Sequence, residues 1–175
     1  MTARNVADGD RSRRDFFSLT GAGVGAIALV ALTSKGMAAA QVARGTTTED
    51  GKVLEANRNF YSALEALSLE KMDAVWLRED WVTCVHPGWN LLEGWKTIRE
   101  SWQAMFKVTD SMLIRVGVQA VRVDGSTAWV CCTEDISSTR GRTASSGSAQ
   151  ATNIFERRND AWFLVHHHAS LIPIP

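Results

Sequence analysis

Residues 150–170, QATNIFERRNDAWFLVHHHAS, decide the fold of this 175-residue chain. Apolar and polar residues alternate on both sides of Asn159-Asp160, and a period of two is typical of half-buried β-strands. A two-residue turn of this composition joins antiparallel strands and would pair Arg158 with Ala161. The stretch therefore predicts a β-hairpin at the end of the chain.

The same turn fixes the expected facing of the polar residues in this hairpin. Counting back from it sets Asn153 opposite His166 and places His168 on the same face. Strand alternation then sends His167 to the other face. We therefore expect Asn153, His166 and His168 to share the functional side of the sheet.

Two further strands precede this hairpin. The period of two runs from Met112 to Ala120, and a returning strand covers Ala128 to Ser137 after the Asp124-Gly125 turn. The polar stretch TRGRTASSGS at 139–148 predicts a loop, in which Arg140 and Arg142 are expected to be solvated. Together with the last hairpin, these strands form an antiparallel meander.

Upstream of the meander the pattern is mainly helical. The first helix carries an apolar stripe of Val53, Ala56, Phe60, Leu64 and Leu67. Ser68 can cap a second helix that ends near Arg78, a strand covers Trp81 to His86, and a third helix runs from Trp95 to Phe106. Helices separated along the chain from an antiparallel sheet predict an α+β domain over residues 52–175.

The first forty residues have the parts of an export signal. Residues 12–17 read SRRDFF, the weakly apolar run Gly21 to Thr33 follows, and the segment ends in an A-x-A pattern. The paired arginines predict a twin-arginine signal over 1–40, cleaved after Ala40 or Ala43, and a flexible linker over 41–51. The twin-arginine translocase is then a transient partner, and the location is periplasmic or extracellular. The run is shorter than the roughly 20 apolar residues of a membrane span, so no stable span is expected.

The amino-acid composition restricts the classes of binding partner and of functional site that we expect. The formal net charge is zero and no dense basic stripe occurs, which argues against nucleic acid. Seven tryptophans against one tyrosine indicate a core or pocket filled by large rings. The cysteines Cys84, Cys131 and Cys132 lack metal-ligand spacing, and the adjacent pair should point to opposite faces of a strand.

The order of elements and several local motifs resemble the nuclear transport factor 2-like superfamily, which includes SnoaL-like cyclases, ketosteroid isomerases and the association domain of calmodulin-dependent kinase II. The motifs that carry the resemblance are 60–64, 72–76, 82–88, 94–102, 151–158 and 162–170. It implies a cone-shaped cystatin-like fold in which three helices pack on a curved, mainly antiparallel sheet. It also implies a homodimer through the exposed sheet face, as do the alternating apolar residues of Val116 to Val123.

The resemblance to ketosteroid isomerase can be carried over position by position. The oxyanion-holding tyrosine falls at Phe60, the basic aspartate at His86 and the second acid at Asn153. Because Phe60 has no proton to donate, steroid isomerisation is not expected. In the family the first strand lies near the last, which would bring His86 close to His166 or His168.

These observations predict a small-molecule pocket. Its candidate catalytic residues are His86 and Asn153, and its candidate ligand-binding residues are Phe60, Trp76, Trp102, Glu134, His166 and His168. Glu134 and Asp135 are neighbours on a strand, so only one of them can face inward. No cofactor is expected, and the histidines lack a carboxylate at the fixed spacing of a metal site.

Three functions stay open at this point. The first is an exported domain that binds a small hydrophobic or partly polar ligand. The second is an isomerase, cyclase or dehydratase with His86 as general base and Asn153 or His166 steadying an enolate-like oxygen. The third is a non-catalytic oligomerisation or interaction module.

Overall fold

Three helices pack on a mostly antiparallel six-stranded sheet in the computed structural model, which describes residues 48–173. The elements are α1 (Thr48–Glu65), α2 (Leu69–Val75), β1 (Thr83–Val85), β2 (Leu92–Glu93), α3 (Trp95–Val108), β3 (Ser111–Asp124), β4 (Thr127–Arg140), β5 (Thr143–Arg158) and β6 (Ala161–Leu171). The sheet order is β2-β1-β6-β5-β4-β3, and among these six described strands only the pairing of β1 with β6 is parallel. The α+β class and the four-strand meander are confirmed.

The helices follow the predicted stripes. Val53, Phe60 and Leu64 of α1 are buried, as are Ile98 and Trp102 of α3, whereas the predicted stripe member Leu67 lies beyond the end of α1. Residues three and four positions apart share one helix face, and burying that face against the sheet stabilises the helices.

The second helix begins at its predicted cap. The Ser68 hydroxyl accepts a hydrogen bond from the backbone N–H of Lys71 at 3.2 Å. This bond satisfies one of the N–H groups that a helix N-terminus leaves without an internal partner.

The first helix begins earlier than predicted. It starts at Thr48, so 48–51 are helical and do not belong to the linker. Glu49 accounts for this, because it accepts hydrogen bonds from Lys52 Nζ at 2.8 Å and from the indole Nε1 of Trp162 at 3.1 Å. These contacts tie the first turn to the last hairpin. The predicted signal and its cleavage sites lie outside the described residues.

The predicted loop at 139–148 is wrong. β4 continues to Arg140, a two-residue turn follows, and β5 begins at Thr143, with Ser138 paired to Ser145. Gly141 adopts φ 58°, and its N–H donates to the Asp110 carboxylate at 2.6 Å. Small polar residues have low strand propensity, but the ladder formed with the neighbouring strand overrides it here.

The turn that joins β5 to β6 has the expected geometry. Asn159 and Asp160 have φ of 48° and 64°, as a type I′ turn requires, and Arg158 pairs with Ala161. The register then shifts between Ile154 and Phe155, where Val165 is an extra residue on β6. A β-bulge of this kind bends the strand and exchanges its faces beyond the bulge.

The bulge overturns the expected facing of the histidines. Asn153 lies opposite His167, not His166. His167 is buried, His166 is half-buried and His168 is exposed. β1 runs parallel to this part of β6, with Cys84 opposite His167, and so brings His86 to the same end of the sheet.

Candidate functional site

A cavity of about 210 Å³ opens between α3 and the sheet. It is smaller than the roughly 300–1,000 Å³ of pockets that hold drug-sized ligands. Most of its wall is apolar and consists of Leu64, Trp89, Trp102, Met105, Val108, Met112, Ile114 and Ile136. The ionisable lining residues are His86, Glu134, His167 and Arg140. The space suits a small molecule with an apolar body and few polar groups.

Glu134 is the buried acid of this cavity. It lies on β4 with 3% of its surface exposed, and no cation lies within ion-pairing distance of it in residues 48–173. Burial raises the pKa of its carboxyl group to about 7, although a hydrogen bond from Tyr61 opposes the rise. The Tyr61 hydroxyl donates to Oε1 at 2.7 Å. Both protonation states of Glu134 are therefore populated near neutral pH.

A chain of hydrogen bonds runs beneath the cavity from Glu134 to His167. Asn153 Nδ2 donates to the Tyr61 hydroxyl at 3.0 Å and to Asn57 Oδ1 at 2.8 Å. Its Oδ1 lies 2.6 Å from His167 Nδ1. Since this amide oxygen can only accept, His167 Nδ1 carries the hydrogen and Nε2 keeps its lone pair.

His167 is held neutral in this arrangement. Burial is the main cause that lowers the pKa of His167 well below its usual value. The nearby His86, His166 and His168 lower it further. Its Nε2 makes no hydrogen bond within the described residues, and the residue lines the cavity. Nε2 is therefore available as a hydrogen-bond acceptor for a bound molecule.

His86 lines the cavity, but both of its ring nitrogens are engaged. Ser101 donates its only hydroxyl hydrogen to the Ile98 carbonyl at 2.7 Å, so it accepts from His86 Nε2 at 2.8 Å. Nδ1 lies 3.7 Å from Cys84 Sγ, and the ring packs edge-on against Trp102. Burial lowers the pKa of His86 to about 4. This geometry favours a wall residue over the general base that the sequence predicted.

The other predicted site residues divide between cavity and core. Trp102 lines the cavity as expected. Phe60 and Trp76 are buried in the aromatic core, where their ring centroids are 6.3 Å apart. Asn153 lies one layer below the cavity wall, within the hydrogen-bond chain.

The prediction that His166 and His168 line the cavity is wrong, because the bulge in β6 turns both side chains away from it. His166 Nδ1 instead lies 2.7 Å from the Thr83 hydroxyl on β1. No cluster of histidine, cysteine and carboxylate side chains suited to a metal ion occurs in the part of the chain that the structure describes.

Tyr61, like His167, is a site residue that was not predicted from the sequence. It is the single tyrosine of the chain and directly follows Phe60, the position matched to the family tyrosine. Consecutive residues of an α-helix are rotated by about 100° around its axis. This rotation places Phe60 in the aromatic core and Tyr61 in the hydrogen-bond chain. The available signal was the spacing of Asn57, Tyr61 and Leu64, which puts two polar groups on the inner helix face.

All three cysteines are free thiols, of which Cys84 and Cys132 are buried and Cys131 is half-buried. Cys132 lies 3.1 Å from the Tyr61 hydroxyl, while Cys131 faces the other side of β4 near Thr152. Burial raises the pKa of Cys132 to about 11 and that of Cys84 well above its usual value. Neither thiol is thereby activated as a nucleophile.

Comparison with known proteins identifies the scaffold. The model of the SnoaL-like domain family matches residues 53–175. The chain belongs to this family. Solved proteins with a cystatin-like fold, 14% and 16% identical, also superpose on this SnoaL-like domain and share its fold.

Two solved structures share more of the sequence with this SnoaL-like domain. An NTF2-like family protein of Streptomyces avermitilis, named as a candidate dehydratase, is 32% identical, with a TM-score of 0.68 over 73% of this chain and 98% of its own. A candidate calcium/calmodulin-dependent protein kinase type II association domain of Thiobacillus denitrificans is also 32% identical, with a TM-score of 0.59 over 67% of this chain and 93% of its own.

A curated relative covers the same region. F-box protein SKIP8 of Arabidopsis thaliana is 28% identical over 122 residues, or 70% of this chain. The matched region is 50% of the F-box protein, so this SnoaL-like domain spans half the length of that relative. No helix of the described residues is long and apolar enough to cross a membrane.

Proposed function

We propose that this domain binds a small, mainly apolar molecule in the cavity and exchanges a proton with it through Glu134. The observation that carries the proposal is a buried carboxyl group with a pKa of about 7 at the wall of an apolar cavity. A general acid or base works best when its pKa is near the working pH. The ionised group can take a proton from a carbon beside a carbonyl, and the protonated group can return it.

The surrounding residues hold the reacting groups in place. Tyr61 fixes Oε1 of Glu134, which leaves Oε2 without a hydrogen bond in residues 48–173. His167 Nε2 can orient a ligand by accepting from its hydroxyl group. The dehydratase name of the Streptomyces avermitilis relative agrees with proton-transfer chemistry, which isomerases, cyclases and dehydratases share.

Proton exchange on a simple ketone tests this proposal. Phenylacetone in D₂O should lose its acidic C–H signals in proton NMR faster with the protein present, at a rate that rises through a pH of about 7 as Glu134 ionises. Glu134→Gln should reduce this catalysed exchange at least about 100-fold, the lower range for a general base. Glu93→Gln, at an exposed position, is the matched control. Equal exchange by wild type and Glu134→Gln would refute the proposal.

A second candidate function is assembly without catalysis. It is favoured by the 32% identity to the Thiobacillus denitrificans association domain. Leu113 and Trp129 on β3 and β4 expose large apolar side chains on the face of the sheet away from the helices, which a second copy of the chain could cover. Sedimentation at micromolar concentration should show twice the monomer mass, and a monomer would contradict the homodimer.

We also propose export in folded form through the twin-arginine translocase to the periplasm or beyond. SRRDFF at 12–17 and the A-x-A end support it. Replacing both Arg13 and Arg14 with lysine should leave the precursor in the cytoplasm, as judged by cell fractionation and immunoblotting. Unchanged export of the double variant would contradict the proposal, and a twin-arginine reporter in the same cells is the control.

A further inference from the structure

Arg140 is a charged side chain at the rim of the cavity. It is the last residue of β4, it is exposed, and it lines the same space as Glu134. Its guanidinium group forms no ion pair or hydrogen bond within the described residues. Asp110, close to this turn, accepts the backbone N–H of Gly141. The guanidinium group is therefore available to a bound molecule.

The cavity has two different polar ends. Glu134, Ile136 and Arg140 are an even number of residues apart on β4, so they share the face that lines the cavity. Glu134 is buried at the inner end and Arg140 is exposed at the outer end. Met105 and Met112 contribute to the apolar wall. A ligand that fits has an uncharged end for the floor and an anionic end for the rim.

We infer that the pocket selects small carboxylates, with the carboxylate paired to Arg140 and the apolar body directed toward Glu134. This inference rests on the proposed function and adds the substrate class. A carboxylate at the floor would face desolvation and the negative charge of ionised Glu134, both of which oppose binding. At the rim it keeps contact with water and meets a planar guanidinium group that can bind both of its oxygens.

Cinnamate and cinnamamide are suitable probes because they differ mainly in charge. Isothermal titration calorimetry should show that the wild-type protein binds cinnamate about two to five times more tightly, the range for an ion pair at an exposed site. Arg140→Gln should remove this preference by weakening the binding of cinnamate. Arg142→Gln is the matched control, since Arg142 lies in the same turn but does not line the cavity. Added salt should weaken the preference by screening.

Each outcome of these titrations either supports or overturns the assignment of small carboxylates to the pocket. Equal affinities for the two probes overturn the inference, and so does an equal loss of preference in both arginine variants, which would indicate a general field effect. If neither probe binds while wild-type protein still exchanges the protons of phenylacetone, the carboxylate class is wrong and the proposed function stands. If the cinnamate preference depends on Arg140 but no exchange occurs, the proton-transfer chemistry is wrong and the binding site stands.

Discussion

Glu134→Gln is expected to make the protein more stable above neutral pH. The pKa of Glu134 rises from 4.5 in the unfolded chain to about 7 in the folded one. The folded state therefore binds the proton more tightly, and wild-type stability falls as pH rises from about 4.5 through 7. At 1.36 kcal/mol per pKa unit, the free energy of unfolding loses about 3 kcal/mol over this range.

Glutamine at position 134 removes this pH-dependent loss of stability. Its side-chain oxygen can still accept from the Tyr61 hydroxyl, and it carries no charge to desolvate. Chemical denaturation at several pH values should show the two proteins diverging from acid to neutral pH, with the variant more stable at high pH. Glu93→Gln, on the exposed surface, should follow the wild-type profile.

Parallel profiles for wild type and Glu134→Gln would show that the carboxyl group titrates normally in the folded protein. Glu134 would then lack the near-neutral pKa that suits it to acid–base chemistry. Loss of proton exchange together with a gain in stability is instead the pattern of a functional residue held in an unfavourable environment.

Asn153→Ala is expected to be the most disruptive change in the buried network. The Asn153 amide contacts Tyr61, Asn57 and His167, so its removal leaves three buried polar groups short of a partner. A buried group without its hydrogen bond costs about 1–3 kcal/mol. Because the partners can rearrange among themselves, we expect the free energy of unfolding to fall by about 3 kcal/mol.

Two measurements test this expectation. Denaturation gives the free energy of unfolding, and nitrogen-15 NMR of the imidazole ring reports which nitrogen of His167 carries the hydrogen. The wild-type protein should show hydrogen on Nδ1, and Asn153→Ala should populate the other tautomer. Thr152→Ala, at the neighbouring position on the opposite face of β5, is the matched control. An unchanged tautomer in Asn153→Ala would mean that the network does not set the state of His167.

Much of the fold follows from local patterns in the sequence. The stripe containing Phe60 and Leu64 predicts α1, the Ser68 cap predicts the start of α2, and Asn159-Asp160 predicts the turn between β5 and β6. Each depends on interactions within a few residues, so no distant contact is needed. Alternation along β4 also predicts opposite facings for Glu134 and Asp135, and the structure buries only Glu134.

The site itself depended on distant contacts. A single extra residue, Val165, brought His167 to the cavity in place of His166. The rotation of α1 relative to the sheet makes Tyr61, and not Phe60, the hydrogen-bond partner of Glu134. The sequence by itself determined the order and type of most elements, the turn between β5 and β6, and the opposite facings of Glu134 and Asp135. Only the tertiary structure decided which polar groups meet, because bulges and helix packing are set by contacts between segments far apart in the chain.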